Sequence, residues 1–421
     1  MVGRTHIIGG GLAGLATAVS LTNAGRSISL YEASGNCGGR CRSYFEPALG
    51  RKIDNGNHLV LSGNRAVLNY LDTIGAKEDL HGPMNPSYSF FDLNSDESWT
   101  VNLDAGYLIR AMFSRAGRVP ATNRYDYLKI LRLIWTGDET TVTQCFGSNN
   151  VLFKRLWEPL ALAILNTDAN EAAASLLKPV FRETIWKGAK NCRPLITRRG
   201  LSETFVDPAV KFLSSKNATI NHNTRLRSLK MRQNRITALE FSTGTIHLVE
   251  GDSVVLAVPS VSAANLVTGL NVPTESRAIV NGHFKLNRTY DDLSFLGLIG
   301  GTSQWLFIRG DVVSVTVSSA NSLVGKPAEF IARILWGEIV RALKLDLSQA
   351  GSQLPPYRIV KEKRATFAQT PKQVKNRPGI RTNCSNLFLA GDWINTGLPA
   401  TIEGTIRSGN AASKTVLVSS H

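Results

Sequence analysis

An α/β fold is predicted for this chain of 421 residues, and three observations predict it. A short apolar strand, Thr5-His-Ile-Ile8, runs through a glycine-rich turn into a helix of small apolar residues, Leu12 to Ala24, which Gly25 ends. A second strand, Ser27-Ile-Ser-Leu-Tyr31, follows at once, so the N-terminus reads as a β-α-β unit. Two later segments, Asp252-Ser-Val-Val-Leu-Ala-Val-Pro259 and Asn386 to Ala390, are apolar without alternation, as strands buried on both faces of a parallel sheet must be.

The turn Gly9-Gly-Gly11-Leu-Ala-Gly14 fits G-x-G-x-x-G with a strand before it and a helix after it. Gly9 permits the tight turn, Gly11 lets the backbone approach a pyrophosphate, and Gly14 lets helix and strand pack closely. The helix start at Leu12 and Ala13 offers free N–H groups to phosphates. Glu32, with Ala33 beside it, ends the second strand where an acid accepts ribose hydroxyl bonds. Together these predict a Rossmann-like dinucleotide site. In Gly38-Gly39-Arg40 two glycines let a loop lie against the cofactor, and Arg40 is suited to pair with phosphate. The polar turn Asp54-Asn55-Gly56-Asn57-His58 follows, and His58 is a candidate proton donor. Leu226 and Val258, from the short strands of the middle of the chain, complete the expected contacts in that region.

Near the C-terminus, Leu387-Phe-Leu-Ala-Gly391-Asp392 reads as a strand and an acidic turn, and a helix starts near Thr401 and Ile402. Gly391 and Asp392 are placed to meet a pyrophosphate and ribityl chain, and the positive end of the helix to face an anionic flavin edge. Glu403 is read as a helix-start residue. If both ends of the chain touch one ligand, that ligand is long, and FAD is the long dinucleotide. The expected organisation is an FAD-binding domain of residues 1–80, 200–260 and 380–421. An α+β substrate domain, 81–199 and 261–379, is inserted into it. Within the latter, 107–190 is expected to be helical, 280–318 antiparallel strands and 327–344 a helix.

Composition narrows the classes. Hydrophobic residues make up 43% and charged residues 19% of the chain, a globular balance. No apolar run reaches the roughly 18–20 residues of a membrane-spanning helix, and the glycine turn begins too early for a signal peptide. Five cysteines in no zinc spacing point to a reduced, cytoplasmic protein without a metal site. The net charge of +16 suits nucleic acid or an anionic membrane surface, or serves solubility alone. No nucleic-acid module appears. Arg110, Arg115, Arg118, Arg124, Lys129 and Arg132, interleaved with Ile109, Met112, Phe113, Leu128, Ile130, Leu131 and Leu133, form a basic amphipathic stretch of the kind that lies on an anionic bilayer.

The set Gly9–Gly14, Glu32, Gly38-Gly39-Arg40, Val254–Pro259 and Gly391-Asp392…Glu403-Gly404 resembles the flavin amine oxidase and carotenoid desaturase superfamily, the GR2-type flavoproteins. Arg42–Phe45, Ile53–Leu59, Leu61–Asn64, Leu156-Trp-Glu158-Pro-Leu160, Leu165–Thr167, Arg199–Glu203, Glu362–Phe367 and Gly391-Asp-Trp393…Thr396–Glu403 are similar to the bacterial hydroxysqualene dehydroxylases over nearly the whole chain. His6, where Val is usual, and Asn395, where an acid often stands, depart from the pattern. The resemblance implies FAD-dependent reduction of hydroxysqualene, an allylic alcohol, to squalene. It also implies a long apolar tunnel for a C30 substrate, for which 107–190 is suited. It leaves the electron donor unassigned and the general acid between His58 and Glu158. A phytoene-type desaturase uses the same fold in the oxidising direction, and a prenyl-binding chaperone shares it without flavin. An amine oxidase usually places an aromatic where this chain has Leu398-Pro-Ala-Thr401.

Overall fold

The computed structural model describes residues 3–104, 106–345 and 354–419. Five short strands make a parallel sheet in the order Thr219–Asn221, Ile28–Tyr31, Thr5–Ile8, Ser253–Leu256, Leu387–Leu389. In register, Thr5 faces Ile28 on one side and Ser253 on the other, and Ile8 faces Tyr31 and Leu256. The four inner and C-terminal strands are buried at every position, which is why they lack polar alternation. The edge strand Thr219–Asn221 is partly exposed and correspondingly polar.

The topology gathers motifs that are far apart in sequence. Gly9 follows Ile8, Glu32 follows Tyr31, Val258 lies just past Leu256 and Gly391 just past Leu389, so all four stand at the carboxyl edge of one sheet. Ligands of open α/β sheets bind at that edge. The helices Leu12–Asn23 and Ile402–Ser419 pack together against the sheet. Their contact is backbone-close: a Cβ on Gly409 would sit 2.5 Å from the Ala13 carbonyl oxygen. Thr17 Oγ1 donates to the Ala13 carbonyl (2.8 Å) and the Gly409 carbonyl (3.2 Å).

His6, the departure in the first strand, is buried with its Nδ1 3.0 Å from the Tyr31 hydroxyl and its Nε2 3.7 Å from Asp252. Asp252 also accepts from the Arg4 and Val249 N–H groups. The imidazole therefore has polar partners in place of the packing a valine would give. Asn395 accepts from the Gly397 N–H (3.2 Å), an Asx turn that closes the loop without an acid.

The second sheet is built on the long strand Ser276–Ile299. It pairs antiparallel with Trp305–Val317 and Tyr357–Phe367, and its end pairs parallel with Ser87–Asp92, which continues to Glu97–Asn102. The helix Ala328–Ala342 packs through Ile331, Leu335 and Ile339 on the core that this sheet buries. The antiparallel strands and the helix therefore fall where expected. A small sheet joins Val60–Leu61 and Leu80–His81 through Pro194–Thr197. No helix among the described residues is long and apolar enough to cross a membrane.

The reading of the basic stretch is corrected. The basic stretch 110–132 is not one helix: Tyr107–Phe113 is α-helical, Arg115–Gly117 is a single 3₁₀ turn, and Arg124–Trp135 is a 3₁₀ helix. Gly117 and Pro120 lie in the break, where a helix is weakened by backbone entropy and by a missing N–H. Ile130 and Leu133, read as part of an amphipathic face, belong to the core. The aromatics of 107–190 pack on each other, Phe146 against Phe153 and Trp157, and Trp157 against Phe181.

Glu403 holds two helices together. Its carboxylate accepts from the Ala66 and Val67 N–H groups at the start of the helix Arg65–Thr73, at 3.2 and 3.0 Å, and from Arg407 Nε at 2.8 Å. It thus supplies the cap that Asn64 does not. Replacing Glu403 by Ala is expected to cost about 2 kcal/mol, the upper end of the capping range, measured as a lower urea midpoint at unchanged slope. An unchanged midpoint would show that the cap contributes nothing.

Candidate active site

At the first glycine turn, each glycine answers a different constraint. Gly9 has φ +105, and a Cβ there would lie 2.4 Å from the Ala257 carbonyl oxygen. A Cβ on Gly14 would lie 1.9 Å from the Gly9 carbonyl oxygen. Gly11 is extended (φ −71) and a Cβ would meet nothing within 4 Å, so its missing side chain leaves open space at the helix start. No side chain caps that helix, so the N–H groups of Leu12, Ala13 and Gly14 lack an intrahelical acceptor. Glu32 is held in place: Oε2 accepts from the Gly10 N–H (2.8 Å), and Oε1 accepts from the Ser34 N–H (2.8 Å) and hydroxyl (2.9 Å). Ala33 is exposed beside it.

The Gly38-Gly39 loop adopts φ +110 and +58 and lies against the first turn, with the Gly38 N–H donating to the Gly10 carbonyl at 2.8 Å. Arg40, expected to meet phosphate, donates through Nη2 to Asp392 Oδ1 at 2.8 Å and through Nη1 to the Ala365 carbonyl. The Asp392 charge holds its guanidinium pKa up. This pair, 352 residues apart in sequence, joins the two ends of the site. Gly391 (φ +154) donates its N–H to Ser408 Oγ, and Trp393 Nε1 donates to the Val258 carbonyl at 2.9 Å. Leu226 and Val258 pack on the core around Tyr31 and Trp393. Thr401 Oγ1 accepts from the Gly404 N–H (3.2 Å) and so caps the last helix, leaving the Ile402 and Glu403 N–H groups at its positive end. Two helix starts rich in N–H donors, an anchored carboxylate and an open glycine cradle fit a dinucleotide lying between them.

The turn after Asp54 borders a cavity of about 310 Å³ lined by His58, Asn57, His283, Phe307, Arg309 and Ser314, among others. Asp54 is buried and accepts three hydrogen bonds: Oδ1 accepts from the Ser43 hydroxyl (2.6 Å) and the Leu201 N–H (2.9 Å), and Oδ2 from Arg309 Nη1 (2.9 Å). Asn57 donates to Thr316 Oγ1 (3.0 Å), Thr316 donates to Asn281 Oδ1 (2.8 Å), and Asn281 donates back to the Asn55 carbonyl (3.2 Å). Gly56 sits over this chain, where a Cβ would be 3.2 Å from Asn281 Nδ2. His283 pairs with Ser314 through Nδ1 (2.7 Å), and it interacts with the Asp54 backbone. Burial lowers the pKa of both histidines, that of His283 to about 4. Asp54 opposes this shift at His58 and Arg40 adds to it.

The structure thus brings His58 to the cavity but not Glu158, which opens the helix Glu158–Leu165, is half-buried and does not line it. Burial raises the Glu158 pKa. Sequence reasoning missed Asn281, His283, Arg309, Ser314 and Thr316. A signal was available: Asn281 and His283 share one face of a strand and face Thr316 and Ser314 across the ladder. Buried polar residues at alternate positions of two neighbouring strands mark a polar network.

Two outcomes follow. Gly11→Ala is expected to cost about 1 kcal/mol or less in stability yet to yield colourless protein, because its methyl fills the cofactor's space. A yellow variant would overturn that reading. Because folding lowers the His283 pKa, the unfolded chain binds the extra proton between about pH 6.5 and 4. Stability is therefore full above that window and falls as pH drops through it, by up to about tenfold in the unfolding constant per pH unit. Thermal melts of wild type and His283→Asn across this range should show a shallower acid slope in the variant, and equal slopes would exclude the effect.

Residues 12–288 and 297–417 match the family described as flavin containing amine oxidoreductase. Relatives named hydroxysqualene dehydroxylase, from Sinorhizobium fredii and Rhodopseudomonas palustris, are each 44% identical, with 98% of this chain and 98% of theirs aligned. A zeta-carotene desaturase of Synechocystis is more distant, at 22% identity over 98% of this chain and 97% of its own. Among solved structures, a putative protoporphyrinogen oxidase from Exiguobacterium has the same fold, with a TM-score of 0.70 at 14% identity over 99% of both chains. The chain is a flavin-dependent oxidoreductase: it belongs to the flavin-containing amine oxidoreductase family and, within it, to the hydroxysqualene dehydroxylases.

Proposed function

We propose that this chain uses FAD to reduce hydroxysqualene to squalene at the cytoplasmic face of a membrane. The observation that carries the reading is end-to-end similarity to hydroxysqualene dehydroxylases at 44% identity, in a chain whose two ends meet at one dinucleotide cradle. FAD is the favoured flavin because the polar groups extend from the Glu32 acceptor past Arg40 to the N–H donors at the start of the last helix, which suits a ligand with a ribose at one end and a ring at the other. When reduced, FAD supplies the hydride that replaces the departing hydroxyl.

The chain's own residues have three tasks. Gly9, Gly11, Gly14, Gly38 and Gly39 let the backbone approach the cofactor, while the N–H groups of Leu12 and Ala13 bind phosphate. Glu32 and Ala33 hold the ribose end, and Gly391, Asp392, Thr401 and Ile402 hold the flavin end. Asn55, Gly56 and Asn57 keep their turn in place through Asn281 and Thr316. The second task is to protonate the leaving hydroxyl, so that its C–O bond breaks and water departs. His58 is assigned this role over Glu158, since His58 borders the cavity. As the acid, His58 would release its proton from the imidazolium form, a charge that burial opposes and the Asp54 carboxylate favours, while His283, paired with Ser314, lines the same cavity. The third task is to keep water from the cationic allyl carbon, which Ile53, Ile196, Leu293, Phe307 and Ile308 serve as apolar lining.

Anaerobic incubation of chemically reduced enzyme with hydroxysqualene is expected to give squalene, and desaturation of phytoene by the oxidised enzyme would instead establish the desaturase reading. His58→Ala is expected to lower kcat by about 10²–10⁴, with Glu158→Gln within a few-fold of wild type. The reverse ranking would move the acid to Glu158.

A further inference from the structure

Large apolar side chains scattered singly over a surface need no explanation, but a cluster does. Of the fifteen exposed large hydrophobic residues among those described, seven lie between Ile109 and Trp135: Ile109, Phe113, Tyr125, Leu128, Leu131, Ile134 and Trp135. Phe113 is 83% and Trp135 78% exposed.

The backbone explains how they come to be presented. Arg124–Trp135 is a 3₁₀ helix of 12 residues, long for a form that rarely exceeds 3–4 residues. With three residues per turn, side chains three apart eclipse, so the helix has three separate edges. Tyr127, Ile130 and Leu133 form the edge buried in the core. Asp126, Lys129 and Arg132 form a charged edge. Tyr125, Leu128, Leu131 and Ile134 form a third edge that is wholly apolar or aromatic and exposed, and Trp135, exposed at the helix end in line with the charged edge, stands next to it. A solvated helix has no need of that third edge. The neighbouring helix Tyr107–Phe113 is fastened to the buried edge by the edge-on packing of Tyr107 against Tyr127 at 5.8 Å, and it exposes Ile109 and Phe113.

The charge around these residues selects the occupant. Six basic residues accompany them against one acid, Asp126, which Lys129 neutralises at 2.8 Å. Arg110 pairs with Asp104, whereas Arg115, Arg124 and Arg132 form no ion pair among the described residues. Aliphatic side chains set beside tryptophan, tyrosine and unpaired arginine match the depth profile of a bilayer interface, with acyl chains below and anionic headgroups above.

We propose that the 3₁₀ helix Arg124–Trp135, with Ile109 and Phe113, is the face by which the protein inserts into an anionic lipid leaflet. The purpose given to this face, uptake of a membrane-dissolved isoprenoid, rests on the proposed function; its physical case does not. The test uses the full chain with vesicles of phosphatidylcholine alone or with phosphatidylglycerol. Wild type is expected to sediment with the anionic vesicles at low salt, at least tenfold more strongly than with neutral ones, with a blue shift of tryptophan emission that Trp135→Phe diminishes. Leu128→Glu with Leu131→Glu should weaken binding at least tenfold at an unchanged melting temperature, and Arg124→Glu with Arg132→Glu should abolish the preference for anionic lipid. The proposal is overturned if wild type stays in the supernatant, if the Leu128/Leu131 variant binds equally well, or if that edge instead joins two copies of the chain, seen as a dimer that the variant dissolves. Turnover of hydroxysqualene in detergent micelles separates the two readings. Docking variants should keep it and lose turnover of vesicle-dissolved substrate. Its absence in wild type overturns the function while leaving vesicle binding to decide the docking face.

Discussion

The approach of the first helix to the last is the constraint on which the cofactor site depends. The two helices are distant in sequence, and they meet where neither has a side chain to separate them: Gly409 lies against Ala13 and Thr17. Gly14, one residue from Ala13, is pressed in turn against Gly9. The helix start that receives a phosphate is therefore fixed from both sides, by its own strand and by the chain's far end. Ser408, next to Gly409, accepts from the Gly391 N–H, so the contact that docks the helices also sets the C-terminal turn. A side chain at any of these glycines would widen the gap and move Asp392 away from Arg40.

A buried carboxylate is central to the junction of the second sheet with this arrangement. Asp54 belongs to a strand of the cofactor side yet binds Arg309 of the long antiparallel pair. Arg309 also donates to Thr197. A charge so enclosed is tolerated only with a full set of donors, and Asp54 has four bonds' worth of acceptance largely met by Ser43, Leu201 and Arg309. Losing any one of them would loosen the turn that carries Asn55, Gly56, Asn57 and His58. The register of the two strands repeats this logic, because Asn281 and Thr316, like His283 and Ser314, are direct cross-strand partners. The cavity wall is thus set by pairing geometry more than by the lining side chains.

What could be read in the sequence was whatever the backbone demands of a residue type. A tight turn at positive φ, a helix packed against a strand and a strand buried on both faces each restrict the residues allowed, so Gly9, Gly14, Gly391 and the apolar strands announced themselves. Glu403 was legible as a helix-start acid, but not the helix it caps, since Ala66 and Val67 are brought to it only by tertiary packing. Asp54–Arg309 and His283–Ser314 were illegible for the same reason: their partners are set by ladder register over long separations. The aromatics of 107–190 show a different limit. Composition alone does not tell an aromatic that lines a tunnel from one that packs on its neighbours, and Phe146, Trp157 and Phe181 pack on one another.

The structure gives the end of the basic stretch a period of three. An α-helical period of 3.6 would place Ile134 between Tyr127 and Ile130 on the inward face. The period of three divides them, sending Tyr127, Ile130 and Leu133 inward and Tyr125, Leu128, Leu131 and Ile134 outward. A helix built on the looser period would bury part of the second set or expose part of the first. The tighter winding is what lets one short element satisfy a core and still present a continuous apolar edge. Tyr127 closes the arrangement: its ring packs on Tyr107, and its hydroxyl accepts from the Val119 N–H at 2.9 Å, holding the break between the two helices in place. The outward edge is therefore backed by a fixed core contact and not carried on a free loop, which an inserting surface requires if contact with lipid is to position the whole molecule.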